Sequence, residues 1–297
     1  MEWTPGGANP DVEDREGDSG GGGGGGNFGG FGLPHLGIGG IIIVGLLSLV
    51  FHQNFFALFS GAGNAPVVQQ QQTRVTNPSA TTQSPSREVQ FLSFVLKDAQ
   101  DTWATLLPAQ AKVPYRHAKL VLFRDSYPSG CGTAEDATGP FYCPEDEKIY
   151  LDTGFFDELK NRFGGSNAEF AQAYVVAHEL GHHVQKLLGI EGKVRNLQQQ
   201  NPSEANPLSV DLELQADCFA GVWGHSAQQR GVVTTDDVPA ALSAAAAVGD
   251  DRLQKMATGH VSPEKFTHGT AQQRTTWFTR GLESGQIASC QTFKSGS

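Results

Sequence analysis

The chain has 297 residues, 37 of them glycine, and a formal net charge of −10. That length allows one domain plus attachments. The acidic balance leaves no basic patch that could hold a phosphate backbone, which argues against nucleic acid as a partner.

Residues 1–32 are acidic and then glycine-rich, with an unbroken run from Gly20 to Gly26. Such a segment buries too little apolar surface to offset its ordering entropy, so it is expected to be a disordered tail. A phosphate-binding glycine loop is rejected, because no Lys-Ser/Thr follows and no strand precedes it. Leu36 to Phe51 carries no charge over 16 residues. As a helix this is about 24 Å long, short of a hydrocarbon core of about 30 Å. Extended to 33–59 it is long enough for one transmembrane helix. The alternatives are a signal peptide, which would want a short basic leader, and a buried core helix. Residues 60–87 are rich in Gln, Ser, Thr and Pro and read as a flexible linker.

Residues 88–297 suffice for a substantial core. Glu88 to Leu107 reads as an amphipathic helix, and Ala118–Phe123 and Lys148–Leu151 as strands. A short helix is expected at Phe155–Phe163 and a polar loop at Ile190–Leu208. Helices are expected at Leu212–Arg230, Val238–Val248 and from Thr270 to about Gly281. The expected fold is α+β: mainly helical, with a small sheet, preceded by the one membrane helix.

Between these lies Ala171–Leu188, AQAYVVAHELGHHVQKLL, with the motif His178-Glu179-Leu180-Gly181-His182. Helix residues four apart differ by about 40° in direction, so His178 and His182 point the same way. Two imidazoles one turn apart can take two corners of a zinc tetrahedron. Glu179 lies about 100° round from His178, beside such a metal, where it can hold and deprotonate a metal-bound water. His183 lies roughly 140° from His178 and cannot join the same ion.

A third ligand must come from elsewhere. The zincin class that continues HExxHxxGxxH is rejected, because its last two positions are Gln185 and Leu188 here. Glu213 and Asp217 share one face of an otherwise apolar helix, where two unpaired carboxylates would be costly. A zinc for Glu213 and an imidazole N–H for Asp217 would satisfy both. Asp211 is the other carboxylate to consider, and Cys218 a thiolate alternative.

The four cysteines are Cys131, Cys143, Cys218 and Cys290. A Cys131–Cys143 bridge would close a Gly- and Pro-containing loop. A Cys218–Cys290 bridge would tie the carboxylate helix to the C-terminal tail. Four cysteines allow three pairings, so the sequence leaves connectivity open. No C-x-x-C occurs, and disulfides after a membrane segment imply an extracytoplasmic domain.

The chain resembles the bacterial neutral zinc metallopeptidases, membrane-anchored proteins of the glutamate-zincin type. The resemblance rests on Val12-Glu13-Asp14-Arg15 with its following glycine run, Phe141-Tyr142-Cys143-Pro144, Tyr150-Leu151-Asp152 and Arg162-Phe163-Gly164. It continues through the motif helix, Glu213 to Trp223, Gly249-Asp250-Asp251-Arg252, Phe266 to Thr270, Gln273-Arg274 and Trp277-Phe278. It implies a metallopeptidase fold, one zinc per chain and hydrolysis of a peptide or protein substrate. In related glutamate zincins a late His or Arg stabilises the oxyanion, which makes His268 and Arg274 the candidates. The resulting expectation is a single-pass, membrane-anchored endopeptidase with His178, His182 and Glu213 on zinc, Glu179 as base and Asp217 behind an imidazole. The alternative from another class is a non-catalytic, zinc-stabilised scaffold, with the fourth zinc position closed by His268 or Cys218.

Overall fold

The structure, a computed structural model, describes residues 1–6, 9–17, 85–135, 139–166 and 168–293. It is α+β, mainly helical with a small sheet. The sheet is built from β1 (Val12–Asp14), β2 (Lys119–Phe123), β5 (Phe141–Cys143) and β6 (Lys148–Asp152), in the order β1-β2-β6-β5. β2 runs parallel to both β1 and β6, and β5 is antiparallel to β6. Leu120, Val121, Leu122 and Phe123 are all buried, as a central strand covered on both faces requires. Alternation sends Leu120 and Leu122 into the main core with Ile149 and Leu151. It sends Val121 and Phe123 into a smaller cluster with Tyr150, Cys143 and Ala134. That cluster is covered by a hairpin of β3 (Ser126–Ser129) and β4 (Gly132–Glu135), which the Cys131–Cys143 disulfide fastens to β5.

The helices follow their apolar stripes. α1 (Arg87–Leu106) starts at Ser86, whose hydroxyl accepts from Val89 N, and buries Leu92, Val95, Leu96, Ala99 and Trp103. α2 (Phe155–Asn161) leads to the motif helix α3 (Glu169–Leu187), which ends where Gly189 turns left-handed. The loop expected at 190–208 is instead α4 (Ile190–Gln200), a 3₁₀ turn and the start of α5 (Ala205–Gln229). α6 (Val238–Ala247), α7 (Asp250–Thr258) and α8 (Ala271–Ser284) complete the layer, with a Thr270/Gln273 capping box opening α8. α5 is the central post, packed against α3 and α8. At the α5–α8 crossing a Cβ on Gly281 would stand 1.9 Å from the Cys218 carbonyl oxygen, so only glycine permits the approach.

The expectation of a disordered tail over 1–32 is corrected for its first part. Trp3 packs on Phe91 at 5.2 Å, with the Arg87 guanidinium over its ring. Val12 stands opposite Leu120 in β2, and Arg15 N donates to Leu122 O. Glu13 pairs with Lys148 and Lys119, and the Met1 ammonium lies 2.8 Å from Asp237. Three of the acidic residues that suggested a solvated tail thus face basic partners on the domain: Glu13, Asp11 beside His117, and Glu16 beside Arg124.

The glycine run Gly20 to Gly26, the candidate span 33–59 and nearly all of the linker 60–87 lie outside the described residues. Among the described residues no helix is long and apolar enough to cross a membrane. The single crossing is nevertheless corrected on another ground. β1 precedes residues 33–59 and β2 follows them, and the two strands share a backbone ladder. One crossing between them would leave hydrogen-bonded neighbours on opposite sides of a bilayer.

Candidate metal centre

α3 is buried over most of its length, including Phe170, Tyr174, Ala177, His178, Glu179 and Leu180. Its approach to α5 is set at Gly181, where a Cβ would stand 2.9 Å from the Ala216 carbonyl oxygen. That contact brings Glu213, one turn before Ala216, beside the two motif imidazoles. His178 Nε2 is 3.2 Å from Glu213 Oε2, and His182 Nε2 is 3.4 Å from Glu213 Oε1. One ligand atom from each of the three residues falls within 4.8 Å of the others. Tetrahedral zinc with bonds of about 2.0–2.1 Å needs neighbouring ligand atoms about 3.3 Å apart, so these residues fit the ion. Asp211 is not in this group, and Cys218 is disulfide-bonded to Cys290.

Asp217, fully buried, stands behind His178. Its Oδ1 is 2.9 Å from His178 Nδ1 and accepts from Tyr174 OH at 2.5 Å. Arg274, 3 % exposed, donates to Asp217 Oδ2 through Nε at 2.8 Å and to Oδ1 through an Nη at 3.0 Å. A carboxylate can only accept, so His178 Nδ1 carries the proton and Nε2 offers its lone pair to the ion. Arg274, a candidate oxyanion donor by sequence, is thus placed behind the ligand, where it neutralises Asp217.

The charges of the group bear on one another strongly. Burial disfavours an anionic Glu213, but His182 and His178 outweigh it and hold its carboxyl well below the usual range. Burial also disfavours a cationic His178, yet Asp217 and Glu213 push its pKa up to about 10. His182 is likewise raised, against burial, by Glu213. Without metal these rings hold protons that a divalent ion would displace. Burial raises the Glu179 carboxyl, and the neighbouring imidazoles only partly offset it. A carboxylate raised toward neutrality is a better base than an ordinary one.

His268 lies outside the ligand group but close enough for Glu213 to favour its charged form. Its Nδ1 is 3.1 Å from Asp250 Oδ1. Asp250 is buried and also accepts backbone N–H from Thr267, His268 and Gly269. It therefore fixes both the segment and the ring. His183 is a structural tie: Nε2–H donates to Arg116 O at 2.7 Å, and Tyr142 OH stands 2.9 Å from Nδ1. Burial lowers its pKa, which keeps the ring neutral.

Tyr174 and Asp250 join the site without having been expected there. Tyr174 stands one turn before His178 on the same face, a spacing visible in the sequence, and its hydroxyl bonds Asp217. Asp250 carried no local signal, since its partners lie 17 to 19 residues later.

The comparisons with known proteins agree with this centre. The sequence profile of a family described as "putative neutral zinc metallopeptidase" matches residues 1–293. YpfJ of Escherichia coli strain K12, itself described as uncharacterized, is 48 % identical over 296 residues, covering 99 % of each chain. The uncharacterized protein Mb2605 of Mycobacterium bovis is 46 % identical over 201 residues, covering 64 % of this chain and 66 % of its own. No solved structure matches significantly. With a match that runs through β1, the motif helix and the carboxylate helix alike, the chain belongs to the family of neutral zinc metallopeptidases.

Proposed function

We propose that the protein is a zinc-dependent endopeptidase with His178, His182 and Glu213 as ligands. The observation that carries this reading is a three-residue ligand group flanked by a buried carboxylate, Glu179, that is not a member of it. Bound zinc supplies Lewis acidity, polarising a carbonyl and lowering the pKa of water to about 7. Glu179 takes the proton of the attacking water and delivers it to the leaving amine. His268 donates to the developing oxyanion. A scaffold site would need a fourth protein ligand. Cys218 is consumed in a disulfide and His268 lies outside the ligand group, which favours the enzyme. Arg274 is committed to Asp217 and so is not the cation that would hold a substrate's terminal carboxylate. Purified protein should contain about one zinc per chain and cleave peptides blocked at both ends. A chelator should abolish cleavage and zinc should restore it. Metal-independent cleavage, or zinc without cleavage, would overturn the proposal.

The dyad predicts a pH effect. Asp250 accepts from His268 Nδ1–H, so Nε2 carries a proton only in the imidazolium form. Burial opposes that form, but Asp250 and Glu213 prevail and raise the pKa. The oxyanion donor is therefore present below this raised pKa and lost as pH rises through it. In Asp250→Ala the His268 resonance should titrate at lower pH, and the alkaline limb of kcat/KM should move with it. An unmoved limb would assign it to another group.

We also infer that residues 1–17 and the domain lie together on the extracytoplasmic side. The two disulfides support the compartment, and the β1–β2 ladder supports the common side. All four cysteines are bonded, so an introduced thiol reports alone. Thr4→Cys and Ala104→Cys, both at exposed positions, should react equally with an impermeant maleimide in intact cells. Labelling of Ala104→Cys only would restore the single crossing.

A further inference from the structure

His182 has a support of its own, and it leads away from the site. His182 Nδ1 is 2.9 Å from Gln185 Oε1. Gln185 Nε2 donates to the Leu212 carbonyl at 2.7 Å and to Gln215 Oε1 at 3.1 Å. Gln215 Nε2 in turn donates to the Cys290 carbonyl at 2.8 Å. Cys290 is bonded to Cys218, three residues after Gln215 on α5. Thr292 then donates to Asp211 O, so the tail runs along α5 beside the ligand Glu213.

The direction of this chain is determined. Backbone carbonyls only accept, so each amide must turn its nitrogen toward one. Gln215 points its nitrogen at Cys290 O and offers Oε1 to Gln185. Gln185 points its nitrogen at Leu212 O and Gln215, leaving Oε1 for His182. His182 Nδ1 must then carry the proton, and Nε2 presents its lone pair beside Glu213. Gln185 and Gln215 are 1 % and 2 % exposed, so water does not compete for these bonds.

We propose that Gln185 and Gln215 are positioning residues of the metal site, which fix the tautomer and orientation of His182 and tie them to the disulfide-held tail at Cys290. The inference rests on the reading of His182 as a zinc ligand. It gives the two ligand imidazoles different supports: a carboxylate–arginine pair behind His178, and a neutral amide relay behind His182. It also makes the Cys218–Cys290 bridge part of the metal site although neither sulfur is a ligand.

The test measures two quantities on parent, Gln185→Ala, Gln215→Leu, the Cys218→Ala/Cys290→Ala pair, and combinations with Gln185→Ala. One is zinc affinity by competition with a chelating dye. The other is the tautomer of His182 in metal-free protein, from imidazole ¹⁵N shifts where the ring is neutral. Loss of such a support typically costs 10–100-fold in metal affinity, so Gln185→Ala should lose about that much. Its His182 should pass from Nδ1–H to a mixture of tautomers, which a loss of packing alone would not produce. Gln215→Leu keeps the disulfide and should shift affinity in the same direction, even if the cysteine pair does not fold. Because the tail acts through Gln185, removing the bridge in the Gln185→Ala background should cost little more. Parental affinity and tautomer in Gln185→Ala would overturn the proposal, as would full additivity of the two losses. A parent that binds no zinc would refute the functional reading instead, while the tautomer would still decide the relay.

Discussion

Glu179→Gln is expected to keep zinc and fold and to lower peptide hydrolysis by at least about 10²-fold, since general acid–base catalysis contributes about 10²–10⁴. Glu179 is 7 % exposed and is not in the ligand group, so its replacement by an isosteric amide leaves His178, His182 and Glu213 in place. Burial already disfavours its charge, so a neutral amide relieves a cost and should not weaken the fold. What disappears is the capacity to take a proton. Zinc content and initial rate must be read on the same preparation. Parental cleavage with full zinc would remove Glu179 from the chemistry and revive the scaffold reading. Loss of zinc would mean that Glu179 holds the site together.

The second large effect is on stability. Asp217→Ala is expected to destabilise the metal-free protein by about 3–5 kcal/mol, the usual cost of stranding one partner of a buried ion pair. For a domain of this size that is roughly 6–20 °C in midpoint. The cause is Arg274, whose guanidinium would remain buried with its carboxylate gone. Tyr174 OH and His178 Nδ1 would lose their acceptor as well. The double replacement Asp217→Leu/Arg274→Met should recover much of the loss, because no charge is then stranded. Denaturant midpoints at unchanged slope, without metal, keep ligand linkage out of the comparison. A double variant as unstable as the sum of its single changes would show that Asp217 and Arg274 act independently and that no stranded charge causes the loss.

The parts legible in the sequence were those whose information is local. The His178/His182 spacing and the common face of Glu213 and Asp217 follow from helix geometry alone, and the structure groups the first three and sets Asp217 behind His178. β2 and β6 announced themselves as apolar runs. β1 did not, because a three-residue strand reading Val-Glu-Asp has no period and acquires meaning only from Lys119, Lys148 and the free edge of β2. α4 hid for a similar reason: Val194 is its only buried residue, so it shows almost no apolar stripe. Arg274 was legible as important but not in its role. Position in sequence does not tell whether a guanidinium faces substrate or a buried carboxylate.

The amino-terminal strand also governs how the sheet meets other molecules. Remove β1 and the edge becomes Lys119-Leu120-Val121-Leu122-Phe123, with its last four residues buried in the intact fold. A flat apolar edge with unpaired backbone groups is a template for aggregation. β1 replaces it with Glu13, Asp14 and the nearby Arg15 and Glu16, charges that a second copy cannot pair against without burying them. The acidic leader is therefore an edge guard. Chains lacking residues 1–17 should self-associate through β2 even where the metal centre is intact.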